Sequence, residues 1–266
     1  MSKNDVNWYD LDPHIAQWYD FTQRDIDDVV QIRRLIGARK NMRILEPFCG
    51  TGRILIPLAQ DGHELVGIDK SKALMDRARR KAMALSQEVL GRVSFIEADV
   101  TEYVWPQAFD LVILGGNCFY ELATPEEQEG CIASAARALK PGGYLYYDSD
   151  HMECELAESW RQPGRHSGII GSWTSADGIR FEWESETIWF DAPKRLWRAK
   201  RWVIVTSPDG TITTKETVQQ KHPISTYEVR EWLEKHGFVV EKHFGDRDDA
   251  PYEDSLERTT FWARKS

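Results

Sequence analysis

Residues 43–54 read R-I-L-E-P-F-C-G-T-G-R-I. The apolar run that ends at Glu46 predicts a strand, Gly50 and Gly52 a tight turn, and Ile54-Leu55-Ile56-Pro57-Leu58-Ala59 the opening of a short helix. Glycines at such a crossing let the backbone approach a ligand closely, and the N–H groups of the new helix favour a negatively charged ligand group. A second strand, His63–Ile68, ends at Asp69, 23 positions beyond Glu46. An acidic residue about 20 positions on is where a doubly wound sheet holds ribose hydroxyls. The turn is not the dinucleotide-binding G-x-G-x-x-G, because Phe48 stands where its first glycine would be and leaves a pyrophosphate less room.

Downstream, strand and helix alternate. Ser71 caps a helix expected from Lys72 to Val89, Gly91 stops it, and Val93–Asp99 is a third strand ending in an acid. Phe109–Leu114 is nearly all apolar, as a strand covered on both faces is, and runs into Gly115-Gly116-Asn117. A helix over Glu126–Leu139 ends at Lys140-Pro141-Gly142-Gly143, and Tyr144–Asp148 is the fifth strand. Alternation of this kind builds a parallel sheet with right-handed crossovers and ligands beyond the strands' carboxyl ends.

Before this core, residues 1–40 predict an aromatic, helical arm with Trp8, Tyr9, Trp18, Tyr19 and Phe21. The core itself spans 41–150. In the insert, 151–222, strand-like runs are separated by turn residues, and Arg180–Phe190 and Leu196–Thr206 form a hairpin. Its Glu182, Glu184 and Glu186 share a face and could meet Arg198 and Lys200 across the ladder. Six of the 11 tryptophans lie between Trp160 and Trp202, which fits either a lid that holds a cationic or aromatic substrate or the insert's own small core. Residues 223–266 return to the core: Ser225 caps a helix that Gly237 ends, and Phe238–Phe244 and Thr259–Arg264 are two last strands. The fold class is therefore α/β, a Rossmann-like, mostly parallel sheet with an antiparallel β insert.

The string I-L-E-P-F-C-G-T-G-R resembles the first motif of class I S-adenosylmethionine-dependent methyltransferases, acidic-x-Gly-x-Gly-x-Gly after an apolar strand, with Phe48 as the departure. Asp99 and Leu139-Lys140-Pro141-Gly142-Gly143 resemble later parts of the same family. The resemblance implies a seven-stranded sheet, S-adenosyl-L-methionine as cofactor and S-adenosyl-L-homocysteine as product. By position, Gly50 and Gly52 would admit the amino-acid end of the cofactor with Glu46 near its amine. Asp69 would accept the ribose hydroxyls, and Asp99 would approach the adenine. Tyr19, Phe48, Arg53, Lys70, Val100, Gly115 and Asn117 complete the cofactor candidates.

Gly116-Asn117-Cys118-Phe119-Tyr120-Glu121-Leu122 resembles the G-N-x-F-x-x-L stretch of the glycine N-methyltransferase-like branch, whose Asn lies where cofactor and substrate meet. That branch carries a carboxylate-gripping Arg just past its fifth strand; Asp150 stands there, and an acid repels a carboxylate. A neutral or cationic small acceptor, such as an amine, is the expectation. Substrate candidates are Asn117, Tyr120, Asp150, Trp173 and Trp183. An amine attacks only when neutral, so a proton acceptor is needed, and Asp150, His151 and His222 are the candidates. Oxygen or carbon acceptors, a protein or RNA group, and a non-catalytic cofactor-binding module remain open alternatives. The Asn/Asp-Pro-Pro-aromatic signature of nucleic-acid amino-methyltransferases is missing from the sequence.

Composition sets the outer bounds. A formal net charge of −9 argues against a nonspecific nucleic-acid partner. The 266 residues contain no apolar run approaching the ~20 needed to span a bilayer, and the start lacks a signal-like apolar segment. Cys49, Cys118, Cys131 and Cys154 form no C-x-x-C pair, so neither a metal site nor a disulfide framework is indicated. The expectation is a cytoplasmic protein with reduced thiols, monomeric or homodimeric.

Overall fold

The computed structural model describes residues 6–150, 152, 156, 158–165 and 171–266. In chain order, α1 (Trp8–Leu11), α2 (Pro13–Thr22) and α3 (Asp27–Ile36) precede β1 (Arg43–Pro47) and α4 (Leu55–Gln60). Then come β2 (Glu64–Asp69), α5 (Lys72–Met83), α6 (Gln87–Leu90), β3 (Val93–Glu97) and β4 (Phe109–Leu114). A 3-10 turn (Cys118–Glu121), α7 (Pro125–Ala138) and β5 (Leu139–Asp150) close the first half. The insert supplies α8 (Glu158–Arg161), β6 (Gly171–Thr174), β7 (Arg180–Asp191), β8 (Leu196–Thr206) and β9 (Ile212–Lys221). The chain ends with α9 (Thr226–Lys235), β10 (Phe238–Phe244) and β11 (Arg258–Lys265).

Two compact units result, and each is assembled from separate stretches of chain. The sheet unit comprises 24–120, 125–154 and 224–266; the insert unit comprises 1–23, 121–124 and 155–223. Thus α1 and α2 pack with the insert, whereas α3 packs with the sheet.

The sheet unit holds seven strands in the order β10-β11-β5-β4-β1-β2-β3. β1 to β5 are mutually parallel, and β11 runs antiparallel to β5. The order reverses at β1, which lies between β4 and β2, so the turn after β1 opens at the switch point where such sheets bind ligands. Ile44, Leu55, Leu58, Leu65, Leu111 and Ile113 form the core here, joined by Val29 and Ile32 of α3. Each such aliphatic side chain contributes roughly 1.5–3 kcal/mol by leaving water.

Local sequence explains the boundaries. Ser71 accepts the Leu74 N–H at 3.2 Å and starts α5, but Ser86 does the same for Val89 at 3.3 Å. This second cap divides the single helix expected over Lys72–Val89. Lys140-Pro141-Gly142-Gly143, expected as a turn, is the opening of β5. Ser225 caps α9 as its sequence predicts.

The insert unit carries an antiparallel sheet, β6-β7-β8-β9. The expected hairpin is present as β7 and β8, with β9 added beyond it. Glu186 does stand opposite Lys200, but Lys200 pairs with Glu216 at 2.6 Å; Glu182 pairs with Arg180 and Glu184 with Arg165. Among the described residues, no helix is long and apolar enough to cross a membrane.

Candidate active site

The turn after β1 has positive φ at Phe48 (+62°), Gly50 (+53°) and Gly52 (+76°). Gly can take this conformation freely, whereas Phe48 holds it against the clash of its own Cβ. The turn also lies tight on β2. A Cβ on Gly67 would sit 2.7 Å from Cys49 Sγ and from Leu55 Cδ1, so only glycine fits there.

Two acids order this turn. Asp69 accepts the Gly50 N–H at 2.9 Å through Oδ2 and the Ser71 N–H at 2.8 Å through Oδ1. Glu46 is buried; the Leu55 N–H donates to its carboxyl, and Oε2 is covered without a hydrogen-bond partner. Burial pushes the Glu46 carboxyl well above the usual carboxylate range, Arg53 only partly opposing this. A buried acceptor oxygen without a donor is costly, and an ammonium group would relieve it. The amino-acid end of S-adenosylmethionine carries that group, so the residues present fit the cofactor.

At the end of β3, Asp99 accepts the Thr101 N–H at 2.9 Å and the Thr101 hydroxyl at 2.7 Å, and pairs with Lys70 at 3.1 Å. Burial raises its pKa, but these contacts together outweigh burial and hold the carboxyl below its ordinary value. Lys70 is thereby engaged by Asp99, and Val100 is buried beside it. Arg53 donates to Asp28 and to the Asp25 carbonyl at 2.7 Å, and a Cβ on Gly116 would lie 3.3 Å from its Nη2. Gly115 is equally confined, since its Cβ would lie 3.2 Å from Ile54.

Beyond β4 and β5, Gly116 and Asn117 take left-handed backbone in succession, at +64° and +62°. Asn117 then locks onto Asp150 in both directions. Its Nδ2 donates to Asp150 Oδ2 at 2.9 Å, and the Asp150 N–H donates to its Oδ1 at 2.9 Å. Tyr120 also hydrogen-bonds Asp150 through its hydroxyl. Burial raises the Asp150 carboxyl above its ordinary value; Arg258 opposes the rise and Asp148 adds to it.

Arg258 is the residue that sequence reasoning missed. It opens β11 opposite Asp150, donates to Asp150 Oδ1 at 2.6 Å, and grips Asp148 through Nε and Nη2 at 3.1 and 2.9 Å. Asp148 also takes Arg247 at 2.9 Å, and Arg247 lies 3.7 Å from Asp28. A run of alternating arginines and aspartates therefore joins Arg53 to Asp150. The signal for Arg258 lay in topology: antiparallel to β5, the start of β11 must fall at the carboxyl end of β5.

The other candidates lie in the insert unit or outside the described residues. Tyr19 meets Tyr9 edge to face at 5.6 Å. Trp183 packs on Trp18 at 4.5 Å and on Phe181 at 5.6 Å, and Trp173 on Phe21 at 5.8 Å, within or against the insert unit's own apolar cluster. His222 is buried, with Nδ1 3.0 Å from the Arg195 carbonyl. His151 lies outside the described residues.

Comparison with known proteins adds to this geometry. Residues 44–143 match the model of a family described as "Methyltransferase domain". These findings define the class: the chain is an S-adenosylmethionine-dependent methyltransferase with a Rossmann-like fold. Among curated proteins, a "Putative methyltransferase YqeM" of Bacillus subtilis is 29% identical over 228 residues, 84% of each chain. Among solved structures, an S-adenosylmethionine-dependent methyltransferase of Clostridium acetobutylicum aligns with a TM-score of 0.72 at 14% identity, over 95% of this chain and 98% of that one. CalS10 of Micromonospora echinaspora, titled an amino pentose methyltransferase and solved with S-adenosylmethionine bound, aligns at 0.66 and 18% identity, over 98% and 99%. At these identities the structural likenesses speak for the fold alone.

Proposed function

We propose that the chain methylates the nitrogen of a small-molecule amine, with Asp150 as proton acceptor and Asn117 and Tyr120 beside the reacting nitrogen. The Asp150 cluster carries this reading. A carboxyl at the carboxyl end of β5, fixed on both sides by Asn117 and raised above its ordinary range by burial, is a stronger base than an exposed aspartate. Arg258 keeps it oriented and offsets its charge, which favours an amine bound as the neutral nucleophile over a fixed cation. CalS10, of the same fold, is titled an amino-sugar enzyme, which is in keeping with a nitrogen acceptor.

Glu46 would hold the cofactor's ammonium group, Gly50 and Gly52 would admit its amino-acid end, and Asp69 would take the ribose hydroxyls. Asp99 and Val100 would border the adenine. Lys70 and Arg53, each held by an acid, serve as positioning residues for Asp99 and for the Gly116 turn. When bound, the cofactor supplies a methyl group on a sulfonium, an electrophile that needs no further activation. The protein's task is then to orient the lone pair, an effect of up to roughly 7–11 kcal/mol, and to remove the proton at Asp150. The placement within the glycine N-methyltransferase-like branch rests on the Gly116–Leu122 stretch and belongs to this proposal.

Transfer of labelled methyl groups to a panel of amines, phenols and acids tests the reading. Turnover confined to amines, lost in Asp150→Asn while S-adenosylhomocysteine affinity is kept, is the expected result. Phenol methylation, or full activity in Asp150→Asn, overturns it.

A further inference from the structure

The segment between β10 and β11 is fixed on α3 by polar contacts. Gln31, fully buried, donates from Nε2 to the Asp246 carbonyl and to Asp249 Oδ1, each at 3.0 Å, and its Oε1 accepts the Tyr146 hydroxyl at 3.1 Å. Arg34 donates to Asp249 Oδ2 at 3.0 Å and to the Arg247 carbonyl itself. Within the segment, Asp246 accepts the Asp248 and Ala250 N–H groups, both at 2.9 Å. Residue 247 is therefore held from both sides, and its side chain reaches Asp148 of β5.

There Arg247 stands between two acids. Its Nη2 lies 2.9 Å from Asp148 Oδ2 and 3.7 Å from Asp28 Oδ2, and both carboxylates are fully buried. Asp148 Oδ2 is also the oxygen that Arg258 Nη2 reaches at 2.9 Å, so two guanidinium groups meet on one atom. What Arg247 gives to Asp28 leaves more of Asp148 to Arg258, and Arg258 divides its own donors between Asp148 and Asp150. Arg247 Nε is buried without a hydrogen-bond partner. For stability alone such a cation is a poor choice, since an apolar side chain would leave no buried donor unanswered. Around Asp150 stand Asp148 on its own strand, Arg258 on β11, Arg247 on the segment before it, and Asn117 and Tyr120 beyond β4. Burial disfavours the charged carboxylate, Arg258, Arg247 and Asn117 favour it, and Asp148 opposes it.

We propose that Arg247 is a positioning residue for the reaction: by dividing its charge between Asp148 and Asp28, it sets how firmly Arg258 holds Asp150. The inference rests on the reading of Asp150 as proton acceptor and extends it to a side chain that acts through others. Loss of Arg247 leaves Asp148 to Arg258 and withdraws a cation from Asp150, which weakens the charged carboxylate. Neutralising Asp28 turns Arg247 wholly onto Asp148 and releases Arg258 to Asp150, which strengthens it. The two changes therefore act with opposite sign.

The test is a pH titration of the Asp150 carboxyl carbon by NMR, on the full chain labelled at aspartate, with the signal assigned by its loss in Asp150→Asn. The acid limb of kcat/KM toward whichever amine of the panel is turned over should move with it. Arg247→Met should raise the midpoint by about half a pH unit to one unit, as losing a nearby opposite charge shared with other groups implies. Asp28→Asn should lower it, and in Arg247→Met it should have no further effect, because the link between the two is gone. Arg247→Lys keeps a charge beside Asp148 but cannot fork to two acids, so it should stay near the parent midpoint and also cancel the Asp28→Asn effect. It carries the test if Arg247→Met does not fold. An unmoved midpoint in Arg247→Met, a rise in Asp28→Asn, or an Asp28→Asn shift that persists without Arg247 overturns the proposal. The expected midpoints without methyl transfer to any amine overturn the functional reading and leave the division of charge standing. Amine turnover with unmoved midpoints does the reverse.

Discussion

The two units arrange their charges differently. In the sheet unit Asp28, Asp148 and Asp150 are each met by an arginine, and Arg247 and Arg258 each bridge two acids. In the insert unit Lys215 meets Asp12, Arg180 meets Glu182 and Lys200 meets Glu216 as one-to-one pairs. A shared network around buried acids holds several segments at once, whereas single pairs at partly exposed positions contribute little. The same residue types thus make a scaffold in one unit and separate pairs in the other.

The largest effect should come from unmatching the first network. Asp148→Ala leaves Arg247 and Arg258 without their shared partner, and breaking a buried pair costs about 3–5 kcal/mol. Urea unfolding should show that loss; a change under ~1 kcal/mol would place the network among weakly coupled surface pairs. Asp150→Asn should keep the fold and lower kcat/KM toward amines by about 10²–10⁴. In the parent protein kcat/KM should fall as pH drops through the Asp150 pKa, which burial places above the ordinary carboxylate range, because protonation removes the base. That acid limb should vanish in Asp150→Asn, and an unchanged profile would remove Asp150 from proton transfer.

Glu46 gives a smaller, signed effect. Burial raises its pKa, so the free protein tends to hold the proton, and a ligand ammonium favours the carboxylate. Binding of S-adenosylhomocysteine should therefore release up to about one proton, read from calorimetry in buffers of different ionisation enthalpy. Glu46→Gln should abolish the release and weaken binding by about 1.5–3 kcal/mol. Proton uptake would reverse the assignment. Phe48→Gly should have the smallest effect. Relief of roughly 1–2 kcal/mol of left-handed backbone strain is offset by about 0.5–1 kcal/mol of added chain entropy. A loss of stability beyond ~2 kcal/mol would mean that the ring packs more than it strains.

What could be read from sequence was local. The glycine turn, Asp69 and the Ser71 cap depend on neighbours within a few residues, and the strand–helix alternation fixed the parallel core. Phe48 was visible as a departure, but not that it would hold a φ of +62°. Arg258 was hidden because it is 108 residues from Asp150 and meets it only through the antiparallel register of β11 on β5. The partner of Lys200 was hidden for a related reason: Glu186 stands opposite it on β7, but the pairing of β9 on β8 brings Glu216 within 2.6 Å, and a register is not given by alternation alone. The tryptophans drew attention to the insert, and Trp173 and Trp183 pack with α2.

The insert unit's assembly from three chain segments bears on how such an enzyme could be re-engineered. Residues 158–223 look transplantable in sequence, but Trp8 and Ile15, which join Phe181, Val203 and Val205 in one apolar cluster, come from the N-terminal helices. A graft of the insert alone would leave Phe181, Val203 and Val205 without that cover. Any transplant has to move the N-terminal helices, the 121–124 turn and the insert together.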